Sequence, residues 1–209
     1  MAKIQYSLIS GEAGEFAATR GLPVGLLYND GKIIYKKPVS AFRARIPNAR
    51  ITAVIAALSA IWTLRNTGGT NTLVVKAILI SSSFDGTAAA TTQQFQLQRF
   101  SGATPTGGTA LLGIAEGGDI IPSIDARFNY AAALSITGTT FEEAFHEIGV
   151  QRQVSAGRSD PLQADPSTRR AIIRLTPGQG LGIRLGVASV IGDGLGGSVW
   201  LEEYDPADL

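Results

Sequence analysis

The one histidine of the chain, His146, stands three residues after Glu143, and on a helix a Glu-x-x-His pair faces one way. Carboxylate-bridged metal centres use that pair twice over, whereas it occurs once here. Glu142, Glu147 and Asp125 are the carboxylates such a site would draw on. A lone histidine excludes the double-histidine centre of a metal-dependent cupin-type sandwich. A serine triad would have to recruit the same histidine, and no Gly-x-Ser-x-Gly elbow is present. A glycosidase would need two carboxylates converging in a cleft, and no pair is marked for that role. The expectation is that Glu143 and His146 belong to a polar surface helix. No catalytic, cofactor-binding or metal-binding residue is expected.

Other residue types with chemical potential receive equally plain readings. Gly178-Gln179-Gly180-Leu181-Gly182 lies between two strand-like stretches, with no helix after it and no Gly-Lys-Ser/Thr, so it predicts a tight β-turn rather than a phosphate cradle. Glu202, Glu203, Asp205 and Asp208 would suit Ca²⁺ or a basic neighbour, and are expected to form a solvated acidic tail. Trp62, Trp200, Phe95 and Phe100 would suit a sugar platform, but most sit in β-periodic stretches and are expected in the core. Lys36, Lys37, Arg43, Arg45 and Arg50 are irregularly spaced, and are read as a solvated connector rather than a basic linker docking on an acidic partner.

The elements that would position these residues are strands. Ser59–Asn66, Thr72–Ser82 and Thr92–Phe100 read as three in succession. Leu73 to Ile80 is an apolar run broken only by Lys76, which predicts a strand covered on both faces. Gln94 to Gln98 alternates strictly, which predicts one wet face. Thr67-Gly68-Gly69-Thr70-Asn71 predicts a hairpin between the first two strands, with glycine supplying positive φ. Upstream, Leu26 to Tyr35 carries Asp30-Gly31 between two β-rich runs and predicts a type I′ hairpin. Such a hairpin is marginal alone and needs a surface to pack on. Residues 1–20 are polar and read as an arm that a neighbour orders.

Ile51 to Leu58 has a helical stripe and is read as irregular or briefly helical. Thr109–Ala115 and Ala131–Ile136 read as strands, Gly117–Asn129 as a loop, and Phe141–Gly149 as one or two helical turns. Loops are expected at 84–92, 101–108 and 157–169. The chain then closes with strands at Arg170–Thr176, Leu181–Ile191 and Ser198–Tyr204, the last preceded by a turn at Gly192–Gly197. About eight short strands separated by turn signals predict an all-β antiparallel sandwich of jelly-roll type at 51–209, preceded by an anchoring arm and hairpin at 1–50.

Composition narrows the function class. A net charge of +1 over 209 residues gives no electrostatic footprint for nucleic acid. The chain has no cysteine, which excludes disulfides, thiol nucleophiles and zinc-thiolate sites. No secretory leader pattern opens the sequence, and the longest apolar stretch, Ile51 to Trp62, is far short of a membrane span, so a soluble protein is expected. Charged residues make up only 17% of the chain, with mean hydropathy +0.16, a mild surface suited to coverage by partner subunits.

Four features together resemble a family. They are the aliphatic strand after Asn-x-Gly-Gly (Asn66 to Ile80), Gly-Gly-Thr-Ala-Leu (Gly107 to Leu111), Leu-Thr-Pro-Gly-Gln-Gly-Leu (Leu175 to Leu181) and the final Val199-Trp200-Leu201-Glu202-Glu203-Tyr204. Their order over residues 59–204 is similar to a jelly-roll virion protein of tailed bacteriophages, of the head-decoration type; residues 1–50 have no counterpart in it. The resemblance implies a non-enzymatic protein, made in the host cytoplasm and carried on the virion, which binds the major capsid protein or other virion proteins as a homotrimer. It implies no cofactor, nucleic acid or membrane. The alternative is a tail-associated module whose loops recognise host surface glycans.

Overall fold

The computed structural model describes residues 4–7, 13–16, 26–29, 32–35, 38–84, 92–115, 124–151, 157–158, 162–163 and 173–208. The first four strands form two separate two-stranded sheets: β1 (Ile4–Ser7) pairs with β2 (Ala13–Phe16), and β3 (Leu26–Asn29) with β4 (Lys32–Tyr35). Two residues, Asp30 and Gly31, separate β3 from β4, as the hairpin reading requires; their turn geometry lies outside the described residues.

The remaining strands make an all-β sandwich of two antiparallel sheets. In chain order they are β5 (Ser40–Arg50), β6 (Ala60–Asn66), β7 (Thr72–Phe84), β8 (Thr92–Gly102), β9 (Thr109–Leu111), β10 (Ile114–Ala115), β11 (Ile124–Phe128), β12 (Thr139–Gln151), β13 (Gly157–Arg158), β14 (Leu162–Gln163), β15 (Ile173–Leu175), β16 (Gly180–Leu185) and β17 (Asp193–Tyr204). One sheet runs β10-β5-β17-β7, with β13, β14 and β15 in series along the far edge of β7. The other runs β12-β8-β16-β6-β11-β9. From β5 to β8 every step along the chain changes sheet, as do the steps from β9 to β10, β15 to β16 and β16 to β17.

This alternation corrects the expected hairpin at Thr67–Asn71. Strands β6 and β7 lie in opposite sheets, so the connection is an arch across the roughly 10 Å between layers, and neither Gly68 nor Gly69 has positive φ. The cause is burial: Trp62 and Leu64 must face Leu73 and Val75 across the core, which a flat hairpin would prevent. Pro177 and Gly178 do form a turn, with Gly178 at φ 83, but it too arches between sheets.

The core lies between the layers. Phe42, Ile46, Leu73, Ile78, Val199 and Leu201 come from one sheet and Trp62, Leu64, Phe95, Leu97, Leu181 and Ile183 from the other. The Trp62 indole N–H donates to the Arg45 carbonyl across the gap (3.1 Å), so the largest core residue also joins the sheets through a polar bond.

Several elements differ from expectation for identifiable reasons. The basic stretch read as a connector contains β5, in which Phe42, Ala44 and Ile46 are buried while Arg43 and Arg45 alternate outward, so the sandwich begins well before residue 51. Phe141–Gly149 is strand, not helix. Register shifts between Phe141 and Ala144 and between Ala144 and His146 erase the period of two that announces a strand. Ile124–Phe128 is strand where a loop was expected, and Ala131–Ile136 is irregular apart from one bridge, Thr106 to Ser135. There the Asn129 side chain accepts from the Ala131 and Ala132 N–H groups and curls the backbone away from a ladder. Gly192–Gly197 belongs largely to β17, with a register shift between Leu195 and Gly197 and φ 152 at Gly197. The Lys76 interruption of the apolar run is a bulge: Val75 pairs with Leu201 and Ala77 with Trp200, leaving Lys76 unopposed and ion-paired to Glu202 (3.2 Å). The expected loops at 84–92 and 157–169 fall mostly outside the described residues.

Candidate functional site

The residues with metal-binding potential do not converge. His146 sits on β12 opposite Leu97, while Asp125 sits on β11, four strands away in the same sheet. At the spacing of paired strands that is about 19 Å. Glu142 accepts from Arg99 through both carboxylate oxygens at 2.8 Å, Glu147 accepts from the Gln96 amide (2.6 Å), and Asp125 pairs with Arg127 (2.8 Å). Among the described residues no group of three or more potential metal ligands forms.

The outer face of the six-stranded sheet is more organised than the sequence suggested. Gly180 and Gly182 lie on β16 where a side chain would stand out from the sheet, and aromatic rings occupy that space instead. A Cβ at Gly180 would run into the Phe100 ring and the Leu64 carbonyl; one at Gly182 would meet the Phe141 ring at 2.7 Å. Phe100 and Phe141 are cross-strand neighbours with centroids 5.3 Å apart, and the Arg184 guanidinium lies 4.7 Å from the Phe141 centroid. From Arg184 a chain of hydrogen bonds crosses the sheet: Arg184 Nη1 to Gln98 Oε1 (3.1 Å), Gln98 Nε2 to Gln96 Oε1 (3.4 Å), and Gln96 Nε2 to Glu147. Arg184 Nε also donates to the Leu58 carbonyl (2.6 Å), and partial burial holds the guanidinium below its usual pKa. Phe100 is thus buried as expected, though on the outer face of a sheet, and the glycine motif is mainly a floor for rings.

The acidic C-terminus is not a free tail. Glu203 accepts from Ser40 Oγ (2.9 Å) and Asn71 Nδ2 (2.9 Å), while Glu202 holds Lys76 and accepts from the Tyr204 hydroxyl (2.7 Å). Burial, with the Glu202 carboxylate beside it, pushes the Tyr204 phenol up from its ordinary value. Asp205 accepts from the Ala207 N–H (2.9 Å) in the final turn. Trp62 and Phe95 are core; Trp200 is half-buried on the outer side of its sheet, opposite Arg43.

Large apolar side chains are exposed at Val39, Leu112, Ile114 and Phe145, and three more share one ribbon. At one end of the sandwich, residues 51–59 and 185–193 run alongside each other. Ile51 N donates to Asp193 O (2.6 Å), Ser189 N to Ile55 O (2.9 Å) and Leu58 N to Leu185 O (2.7 Å). This ribbon exposes Val54 (70%), Leu58 (55%) and Ile191 (63%). It carries no charged side chain between Arg50 and Arg65 or between Arg184 and Asp193. Leu58 has φ 62, a left-handed conformation that a branched apolar residue adopts only under constraint. Of the stripe that suggested a helix, Ile51, Ile55, Ile61 and Trp62 are buried, and Val54 and Leu58 are the members left outside. Their exposure could not be read from spacing; the missing charge over fourteen residues was the available signal.

No protein-family model, curated protein or solved structure matches the chain.

Proposed function

We propose that this chain is a non-enzymatic structural protein of a tailed-bacteriophage particle, carried on the virion and decorating or stabilising the capsid as a homo-oligomer, a trimer by preference. The observation that carries the reading is the exposure of Val54, Leu58 and Ile191 on one end of the sandwich, together with two N-terminal two-stranded sheets that, among the described residues, form sheets of their own. Two-stranded sheets are marginal in water, and a contiguous apolar rim favours association, so both features fit a protein completed by its neighbours. The ion pairs and hydrogen bonds among its polar side chains fit a scaffold better than a reactive cleft. Light scattering at micromolar concentration tests the oligomer: three copies of the 21.8 kDa chain give about 65 kDa. Co-sedimentation with particles that lack the protein tests the location, and a chain that never sediments with them would sink the virion reading.

The second reading, a tail-associated module recognising host surface glycans, draws on the Arg184–Gln98–Gln96–Glu147 strip, whose amides and charged groups suit sugar hydroxyls. A glycan screen separates the two, because a decoration protein gives no hits.

A further inference from the structure

We infer that copies of this chain associate side to side, with the acidic edge strand β12 of one copy set against Arg43, Arg45 and the apolar side chains beside them on the next. The inference rests on the oligomeric part of the function proposed above and assigns the two surfaces that meet.

Strands β5, β10 and β17 supply the basic half. Ile114 on β10 pairs with Arg43 on β5, and Arg43 pairs with Trp200 on β17, so the three stand in one row across the strands. Side chains paired across a sheet share a face, here the outer one, because Phe42, Ala44 and Ile46 point into the core. Arg45 follows Arg43 on that face. Ile114 is exposed, Trp200 is half-buried, and Leu112, in the link from β9 to β10, is the most exposed large apolar side chain among the described residues. Arg99, Arg127 and Arg184 are tied to Glu142, Asp125 and Gln98. By contrast the guanidinia of Arg43 and Arg45, like that of Arg174 on β15, hold no hydrogen bond or ion pair among the described residues.

Strand β12 supplies the acidic half. It is the last strand of the six-stranded sheet, and its register shifts leave Glu142, Glu143 and Phe145 with no residue opposite them on β8. A bulge at an edge re-aims side chains and interrupts the ladder, so this edge offers a neighbour side chains rather than main chain. Glu143, Phe145 and Glu147 are exposed. Arg99 holds Glu142 and Gln96 holds Glu147, whereas the Glu143 carboxylate has no partner among the described residues. Each half thus combines exposed apolar or aromatic surface with charge of one sign, and the signs are opposite. A solvated ion pair alone contributes little, but charge beside apolar surface that becomes covered selects the partner and its orientation.

One copy cannot bring its own two halves together. Only Leu112 and Gly113 join β9 to β10, so β10 lies on the β9 side of the sandwich. Strand β12 is at the opposite edge, five strand spacings or about 24 Å from β9 along β12-β8-β16-β6-β11-β9. Charges that far apart are screened from each other, because screening at physiological salt acts over roughly 8 Å. Pairing of the two halves is therefore between molecules. The halves differ, so the contact is heterologous, and such contacts close into a ring, as a trimer requires, when the rotation between copies allows.

Charge exchange tests the contact in light scattering of the full-length chain at micromolar concentration. Arg43→Glu/Arg45→Glu and Glu143→Lys are each expected to lower the mass from three chains to one, and the chain carrying all three substitutions is expected to regain most of it. The substituted side chains have no partner within the chain, so far-ultraviolet circular dichroism should not change. Association of the unsubstituted chain is expected to weaken as sodium chloride is raised from about 50 mM to about 500 mM. Native mass in the charge-reversed chains, or no recovery in the combined chain, would overturn the contact and leave the oligomer standing. Association indifferent to salt would place the interface on uncharged surface and overturn the contact as well. A mass of one chain for the unsubstituted protein at every salt concentration would overturn the contact and the oligomer together. If Arg43→Glu/Arg45→Glu abolishes particle co-sedimentation at unchanged mass, the arginines meet an acidic protein of the particle and not a second copy.

Discussion

The two ends of the sandwich are finished by different chemistry. At the Ser40 end the connections are tied by side chains. Asn66, 2% exposed, donates from Nδ2 to the carbonyls of Asn71 (2.8 Å) and Leu175 (2.9 Å) and accepts at Oδ1 from Gly68 N (3.0 Å). Its own N–H and carbonyl engage Gln179 and Gly178, so one residue locks both arches, while Glu203 fastens Asn71 to Ser40. At the other end backbone bonds join the two segments, Ser189 is their buried polar pin, Arg184 and Arg50 donate to the Leu58 and Gly192 carbonyls, and Val54, Leu58 and Ile191 face outward. An end closed by satisfied polar groups needs nothing further. The other end leaves Val54, Leu58 and Ile191 exposed together on one pair of segments, whereas at the Ser40 end Val39 is exposed beside the polar ties.

The contrast is broken most severely at Asn66. Asn66→Ala strands the buried Leu175 carbonyl and leaves the part-buried Asn71 carbonyl and Gly68 N–H without their partner, and is expected to lower unfolding free energy by about 3 kcal/mol in urea denaturation. Ser189→Ala, its counterpart at the rim, frees chiefly the Ile55 N–H and is expected to cost about 1.5 kcal/mol. Equal costs would mean that the two ends do not differ as described. Next is Gly180, at the Ser40 end of β16, where a methyl group must displace the Phe100 ring or the Leu64 carbonyl. Gly180→Ala is expected to cost about 2 kcal/mol through overpacking and to move Phe100 from the Phe141 ring, a shift visible in their aromatic resonances.

One buried tyrosine serves each end and gives a smaller, pH-dependent probe. Tyr130 donates to the Pro47 carbonyl (3.0 Å) near the rim, and Tyr204 donates to Glu202 near the other end. Burial raises both phenols above their ordinary value, with Glu202 adding to the shift at Tyr204. A raised pKa favours the neutral form in the fold, so the associated stability is fully present below about pH 10 and is lost as pH rises above it. The slope is at most about 1.4 kcal/mol per pH unit for each tyrosine. Tyr130→Phe is expected to flatten the alkaline limb of a stability-pH curve between pH 10 and 11, and an unchanged limb would contradict burial of the phenol.

Much of the sandwich was legible because its strands announce themselves by burial. Thr72–Ser82 and Thr92–Phe100 lie within β7 and β8, and Asp30-Gly31 marked the break between β3 and β4. What escaped was the sheet to which each strand belongs, because a glycine-rich link reads alike whether it folds a hairpin or arches between layers. Strand β5 is masked in the sequence because Arg43 and Arg45 give it the composition of a solvated connector, although Phe42, Ala44 and Ile46 alternate as a strand's buried face does. Strand β12 escaped because bulges broke its period. The rim was half legible: the absence of charge could be seen in the sequence, but which apolar residues the fold would leave outside depends on the ribbon pairing of 51–59 with 185–193.

The smallest expected effect sharpens the comparison most, because its sign differs from the rest. Leu58 stands at φ 62, where asparagine is tolerated and leucine is not favoured. Its side chain is 55% exposed, so replacing it removes only about half of a leucine's burial, while its N–H and carbonyl still reach Leu185 and Arg184. Leu58→Asn is therefore expected to raise the stability of the isolated chain by about 0.5 kcal/mol while weakening association at the same concentration. A substitution that stabilises the single chain and loosens the assembly separates the needs of the fold from those of the interface. If instead the variant unfolds more easily, Leu58 contributes to packing within its own chain, and the rim is a less finished version of the opposite end rather than a surface kept for a partner.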